Sequence, residues 1–350
     1  MNTVVLKVMD WELLSPFGDK NALLAALAAP GQTQKMGATA ATAPATHVLN
    51  VPNFEVREAL GKKGTRAFDR HTGLFVKAAS NAIVGSGIAP EALRAAAVIN
   101  GTAAGSLSSI LDFLLDTYRN ERPYFVNPAH MPNTVLNCAA SQCAIWHAIK
   151  GPNATVSSGS QSFMAALRMA SQWARLDYAQ HFLVGAVEEI TPVSSDLLAS
   201  FRQQTGYQGC FAEGGAAFMC QAQAHDASHS ADDLILATQI GTDMALASGL
   251  ERISKMALHQ AGVLPQALSH IVTKSPAWSA SARAEAILVQ KLGVISSNAY
   301  EWFGHGYSVS GAMQLALLFH TLAPGAFGMA ISASRNGSVG VTLVKKGSPL

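Results

Sequence analysis

The stretch GPNATVSSGSQSF, Gly151 to Phe163, decides how the rest of the chain is read. Gly151-Pro152 ends whatever precedes it, because proline cannot continue a helix. NATVS then reads as a short strand, and Ser158-Gly159-Ser160 as a small-residue turn. In QSFMAALRMASQWARLD, the residues Phe163, Ala166, Leu167, Ala170, Trp173 and Ala174 recur at helical spacing and should face the core. A strand, a sharp turn and a helix put the residue at the turn tip on a helix N-terminus. Several enzyme families place a nucleophile there, because the helix dipole favours negative charge. Here the tip offers Ser160, followed by Gln161.

Outward from this unit the same style repeats. TVVLKVMDWELLSPFGD reads as a buried strand and a turn, with Asp19 capping the helix NALLAALAA. Pro30 to Thr46, rich in Ala, Thr, Gly and Pro, reads as a surface loop. Helices are predicted across Arg66 to Ser86 and Pro132 to Ile149, and AAVINGTAAGS is an apolar strand entering a turn and a helix. HFLVGAVEEITP is a strand ending in two carboxylates, and GGAAFMCQAQ is another strand. HDASHSADD is polar and divides the chain into halves, 1–228 and 229–350. The second half offers strand ILATQI, helix 251–261, strand HIVTK, helix 280–292, helix 310–322 and the strands GMAISAS and SVGVTLVKK. Alternating strands and helices predict an α/β architecture.

Composition narrows the function classes. The chain has 350 residues, 49% hydrophobic and only 13% charged, so it can bury a large core and has little charge for a solvated surface. Low charge accompanies large subunit interfaces. With 24 Lys and Arg against 22 Asp and Glu, no basic field points to nucleic acid. The four cysteines, Cys138, Cys143, Cys210 and Cys220, form no CxxC pair and read as reduced, buried thiols of a cytoplasmic protein. The N-terminus has no signal-peptide pattern, and the apolar stretch 312–327 is interrupted by His320 and Pro324, so no membrane span is expected.

Several motifs in order now carry a resemblance. VVLKVMDWELLSPFGD, GTRAFDRHTGLFVKAASNAI, MPNTVLNCAASQCAIWHAIKGPNATVS, VGAVEEITP, FAEGGAA and FGHGYSVSGAM together resemble the β-ketoacyl-ACP synthases, condensing enzymes of the thiolase fold. The resemblance implies two similar βα halves in a five-layered αβαβα arrangement, usually dimeric. It also implies a mechanism. A Cys at the turn tip carries the acyl chain as a thioester, two His residues serve decarboxylation of a malonyl thioester, and a Lys supports the second His. No cofactor and no metal are implied.

Position by position, the match departs from that chemistry. Counting from Gly151-Pro152, the family's Cys falls on Ser160, its first His on Lys274, and its Lys, five residues before the second His, on Tyr300. Only His305 matches. A serine hydroxyl is hardly ionised at neutral pH and needs a base, and an ammonium does not replace a neutral imidazole unless burial lowers its pKa. In SASRNGS, Arg335 stands where the family's gating Phe would be. Chain-length factors of type II polyketide systems carry Gln in place of the Cys; here Gln161 sits one residue late.

The resemblance therefore implies a catalytically degenerate subunit, similar to a chain-length factor of a type II polyketide or aryl-polyene-like system. It would pair with a Cys-bearing ketosynthase as a heterodimer and receive chains from an acyl carrier protein. The basic residues Lys62, Lys63, Arg66 and Arg70 are expected to dock that acidic carrier. The alternative is a serine-based acyltransferase or priming enzyme using Ser160, with Lys274 as base. An ordinary elongating synthase conflicts with the missing Cys and first His. His305 reads either as an oxyanion donor or as a structural imidazole. Glu188 and Glu189 are expected to satisfy backbone groups, and Asp69, Arg70 and His71 to lie at the surface. The His225, His229, Asp232 and Asp233 group reads as plain loop rather than a metal site.

Overall fold

The computed structural model describes residues 4–29, 36, 48–205, 209–224 and 231–348. In chain order the first half contains β1 (Val4–Leu14), α1 (Lys20–Ala28), β2 (Val48–Leu49), α2 (Arg70–Ser86), β3 (Ala97–Gly101), α3 (Leu107–Arg119), α4 (Cys138–Trp146), β4 (Asn153–Val156), α5 (Ser162–Arg175), β5 (His181–Glu188), α6 (Pro192–Thr205), β6 (Phe211–Ala212) and β7 (Gly214–Ala224). The second contains β8 (Leu234–Thr242), α7 (Leu246–Ala261), β9 (Leu268–Thr273), α8 (Ala280–Leu292), β10 (Ile295–Asn298), α9 (Ser310–Thr321), β11 (Phe327–Ala333) and β12 (Ser338–Lys345).

Ten strands form one sheet in the order β10-β9-β11-β12-β8-β1-β7-β5-β3-β4. Read from each edge inward, the two halves have the same plan. β3 pairs in parallel with β4 and β5, and β7 runs antiparallel between β5 and β1. β9 pairs in parallel with β10 and β11, and β12 runs antiparallel between β11 and β8. A short antiparallel contact, Leu6 opposite Ile235, joins the halves.

The layers follow from which helices are apolar all round. Every residue from Ser310 to Phe319 in α9 is buried, and α9 packs against α5. Gly311 allows this approach, since a Cβ there would come 3.1 Å from the Phe163 ring. A helix without a polar face belongs in the middle of a protein. Phe163, Leu167, Met313, Leu315 and Phe319 join strand residues of both halves in one central cluster. A second cluster lies beneath α2 and α4, and a third beneath α7 and α8. The two halves of the one sheet thus lie on either side of α5 and α9, with α2 and α4 outside the first half and α7 and α8 outside the second, the expected five layers.

Helix limits differ from the sequence reading where side chains find tertiary partners. α2 starts at Arg70, not Arg66, because the Asp69 carboxylate takes the Thr72 N–H at 2.9 Å. The helix expected across Pro132 to Ile149 is broken into a short 3-10 turn, Met131–Thr134, and α4. Asn133 accounts for the break: its amide donates to Ala67 O at 3.0 Å and accepts from the Cys138 thiol at 3.2 Å. α7 begins at Leu246, five residues before the expected start. The loop expected at Pro30 to Thr46 lies outside the described residues apart from Met36, and the polar HDASHS segment, 225–230, lies outside them.

Candidate active site

The turn at the tip of the quoted stretch is built by its neighbours. Gly159 adopts φ 55°, and a short 3-10 turn, Gly159–Gln161, leads into α5. The Ser162 hydroxyl lies 2.7 Å from Gly159 O and 3.1 Å from Thr102 O, and accepts the Ser158 N–H at 2.9 Å. Gly101 lets the helix start touch β3, since a Cβ there would stand 2.7 Å from the Ser162 carbonyl carbon. Ser160 is half-buried, and its hydroxyl meets that of Ser334 at 2.5 Å. Gln161 is buried; its amide nitrogen donates to Ser332 Oγ at 2.8 Å, and Gly340 leaves room for its oxygen.

Across the site lies the loop after the short helix Ala299–Phe303. It packs against the Ser160 turn through Tyr307–Val309. His305 is fixed by its backbone: its N–H donates to Cys210 O and its carbonyl accepts from Ala212 N, both at 3.0 Å. Tyr307 N–H donates to His305 Nδ1 at 3.2 Å, which assigns the ring proton to Nε2. Burial, with help from the Lys274 charge, lowers the pKa of His305 to about 3, so the ring is a neutral Nε2–H donor.

Lys274 follows the last residue of β9 and is buried, 4% exposed. Its Nζ has no hydrogen-bond partner among the described residues. Burial lowers its pKa to about 8, partly offset by Glu285. Glu285 is itself buried and fully engaged, accepting from Lys274 N, Ser275 N, Ser275 Oγ and Ala333 N at 2.7 to 3.3 Å. Tyr300, expected from the sequence at the family's Lys position, accepts the Cys210 N–H at its hydroxyl at 2.9 Å and meets Trp278 edge-on. It braces the strand under His305.

Arg335 is exposed in the turn between β11 and β12, and the residue of that turn that reaches Ser160 is Ser334. Lys62, Lys63 and Arg66 are exposed. Arg70 is not with them. It points inward to Glu213, whose side chain is 0% exposed, and donates to Phe54 O at 2.6 Å and Val51 O at 3.2 Å. The surface reading of its neighbours is likewise corrected. Asp69 caps α2 and accepts from Ser109 Oγ at 2.8 Å, and His71 is buried with Nε2 3.2 Å from Thr102 Oγ1.

The two carboxylates at the end of β5, Glu188 and Glu189, hold the floor of the site together. Glu188 accepts from Thr102 Oγ1 at 2.9 Å and from the Ala103 N–H; Glu189 accepts from His71 N and Ser108 N at 3.1 and 3.3 Å. Those two N–H groups are at the starts of α2 and α3, so Glu189 ties two helix N-termini. Burial raises both pKa values to about 7. Asp232 and Asp233 pair with Lys7 and Lys346, each at 3.0 Å, while His225 and His229 lie outside the described residues. Among the described residues no His, Cys, Asp and Glu cluster could hold a metal, and no helix is long and apolar enough to cross a membrane.

The sequence reading missed Glu213, Glu285, Thr102 and Ser334. Glu213 had a signal, a lone charge inside the small apolar run FAEGGAA. Ser334 had none, since its partner is 174 residues away.

Residues 28–220 match the β-ketoacyl synthase N-terminal domain. The chain belongs to the β-ketoacyl synthase family. A curated relative, 3-oxoacyl-[acyl-carrier-protein] synthase 2 of Rhizobium meliloti (strain 1021), is 28% identical over 151 residues, 42% of this chain and 35% of that protein. The match thus spans about a third of the length of that relative. Among solved structures, the ishigamide ketosynthase/chain length factor superposes with a TM-score of 0.82 at 26% identity, covering 98% of this chain and 99% of that one. The ketosynthase complex with acyl-carrier protein AntDE:AntF gives 0.79 at 15% identity, over 99% of both chains. A β-ketoacyl synthase from Burkholderia phymatum STM815 gives 0.78 at 16% identity over 100% of both. This synthase-family chain thus has the thiolase-like fold.

Proposed function

We propose that this chain is a non-catalytic ketosynthase-like partner, a chain-length factor. It pairs with a Cys-bearing ketosynthase and shapes the pocket that receives the growing chain in carrier-protein-dependent elongation. The observation that carries this reading is the state of the turn tip. Ser160 shares its hydrogen bond with another hydroxyl, Ser334, not with a base, and no thiol replaces it. Cys143 and Cys220 are wholly buried, and burial pushes the Cys220 thiol up to about 12. Cys210 is buried beneath His305, with no exposed surface.

A paired state also fits the surface. Tyr118, Tyr124, Phe125, Met131, Val135 and Ile145 are all at least half exposed. They run from the last turn of α3 to α4, which packs on β4. β4 itself ends the sheet with one side unpaired. An apolar face beside an open strand edge is a surface that a partner covers. The carrier protein would approach Lys62, Lys63 and Arg66, whose charges are exposed and complement an acidic surface.

The test is native mass spectrometry after co-expression with a Cys-bearing ketosynthase from the same organism. A one-to-one heterodimer is expected. A stable homodimer that ignores the ketosynthase would overturn the reading.

A further inference from the structure

We propose that a cleft between α8 and the carboxyl ends of β9 and β10 binds a small zwitterion of the α-amino-acid class, its carboxylate on Arg283 and its ammonium toward Glu301. The cleft is separate from the site at the turn before α5, and nothing in the inference requires pairing with a ketosynthase. Thr273 and Ser275 line it, while Lys274 between them, Ser160 and His305 do not.

The cleft has a volume of about 670 Å³ and three walls: the end of β9 with the loop after it, one side of α8, and the end of β10 with the short helix Ala299–Phe303. The strand connections account for its place. The chain leaves β9 through α8, which packs beside α7 outside the sheet, and leaves β10 toward α9, which lies in the central layer. β9 and β10 are adjacent and parallel. Where the connections of two such strands part to opposite faces, a crevice opens at their carboxyl ends, and open α/β sheets place ligands in crevices of this kind. The walls are also fixed before any ligand arrives. Glu285 takes three backbone N–H groups and the Ser275 hydroxyl, and Asn298 donates to Ser275 O at 2.8 Å and accepts the Tyr300 N–H at 2.9 Å.

The groups left for a ligand carry both charges. The side chains of Arg283, Gln290 and Ser296 make no hydrogen bond or ion pair among the described residues. Glu301 brings a carboxylate from a different wall. A ligand of one charge would leave the opposite group facing the filled cleft without a complement, and that is costly away from water. A ligand carrying both charges meets each of them. A guanidinium takes a carboxylate through two parallel N–H donors, a charge-assisted pair stronger than a bond to a neutral amide. Ala282, Ala286 and Val289 repeat at helical spacing along α8 and give the same cleft an apolar stripe that suits an aliphatic side chain.

The probes are L-leucine, L-leucinamide, which lacks the carboxylate, and N-acetyl-L-leucine, which lacks the ammonium. The full-length chain is labelled with heavy nitrogen and titrated by NMR. L-leucine should bind saturably and shift the amide signals of α8 and β10, and each derivative should bind about tenfold more weakly. Arg283 is exposed, so Arg283→Met should keep the melting temperature while losing the preference for L-leucine over L-leucinamide. Glu301→Gln should lose the preference over N-acetyl-L-leucine. No saturable binding of L-leucine up to about 10 mM, equal affinity for the three probes, shifts confined to other elements, or a preference over L-leucinamide that survives Arg283→Met would overturn the proposal.

Discussion

The hydroxyls of Ser160 and Ser334 meet at 2.5 Å, joining the turn before α5 to the turn after β11. A serine held in this way has a neighbour that can share its proton but cannot remove it. Activation needs a base, and the serine-based alternative assigned that role to Lys274. Incubation with acyl-pantetheine thioesters, read by intact mass, should leave no acyl group on Ser160. Ser160→Ala should cost about 1 kcal/mol of stability, the worth of one hydrogen bond. A stable adduct lost in Ser160→Ala would reinstate the acyltransferase reading.

Lys274 should be a thermodynamic burden. Its folded pKa of about 8 lies below the ordinary 10.5, so the native state holds that proton less tightly than the unfolded chain. The destabilisation is absent above pH 10.5, grows as pH falls toward 8, and is complete below that. Lys274→Met should therefore stabilise the protein at pH 7 by about 3 kcal/mol. Urea midpoints at pH 7 would show it.

Glu188 works in the opposite pH range. Its folded pKa of about 7 exceeds the ordinary 4.5, so the native state holds this proton more tightly. That contribution is full below pH 4.5 and is lost as pH rises through 7. Glu188→Gln, whose amide oxygen can still accept from Thr102 and Ala103, should flatten this part of the stability profile. Melting temperatures of both proteins between pH 4.5 and 8 provide the comparison.

Arg70 and its sequence neighbours should separate cleanly. Arg70→Ala leaves the Glu213 carboxylate buried and unpaired and should cost about 3 kcal/mol. Lys62→Glu, Lys63→Glu and Arg66→Glu should leave the melting temperature within about 2 °C, since exposed charges contribute little. If these residues dock a carrier protein, the triple reversal should weaken its binding at low salt, as surface plasmon resonance would show.

These cases show where sequence is informative. The duplicated strand plan was legible because each strand and helix advertises its own period, and the turn before α5 because Gly, Pro and Ser cluster there. What could not be read was the partner of each polar group. Arg70 looked like a surface charge in GKKGTRAFDR, and Glu213, 143 residues distant, makes it an interior one. His71 looked exposed because its neighbours are polar, yet the strand carrying Val187 and the Thr102 turn close over it. Burial of this kind is decided by long-range packing, which leaves no local pattern.

The turn before α5 is shaped by Ser158, Gly159, Ser162, Thr102 and Gly101, while the side chain at its tip reaches away from it to Ser334. Architecture and reactivity are thus separable at this corner. Position 160 can therefore exchange one small side chain for another with the turn intact, and what stands there bears on reactivity more than on folding.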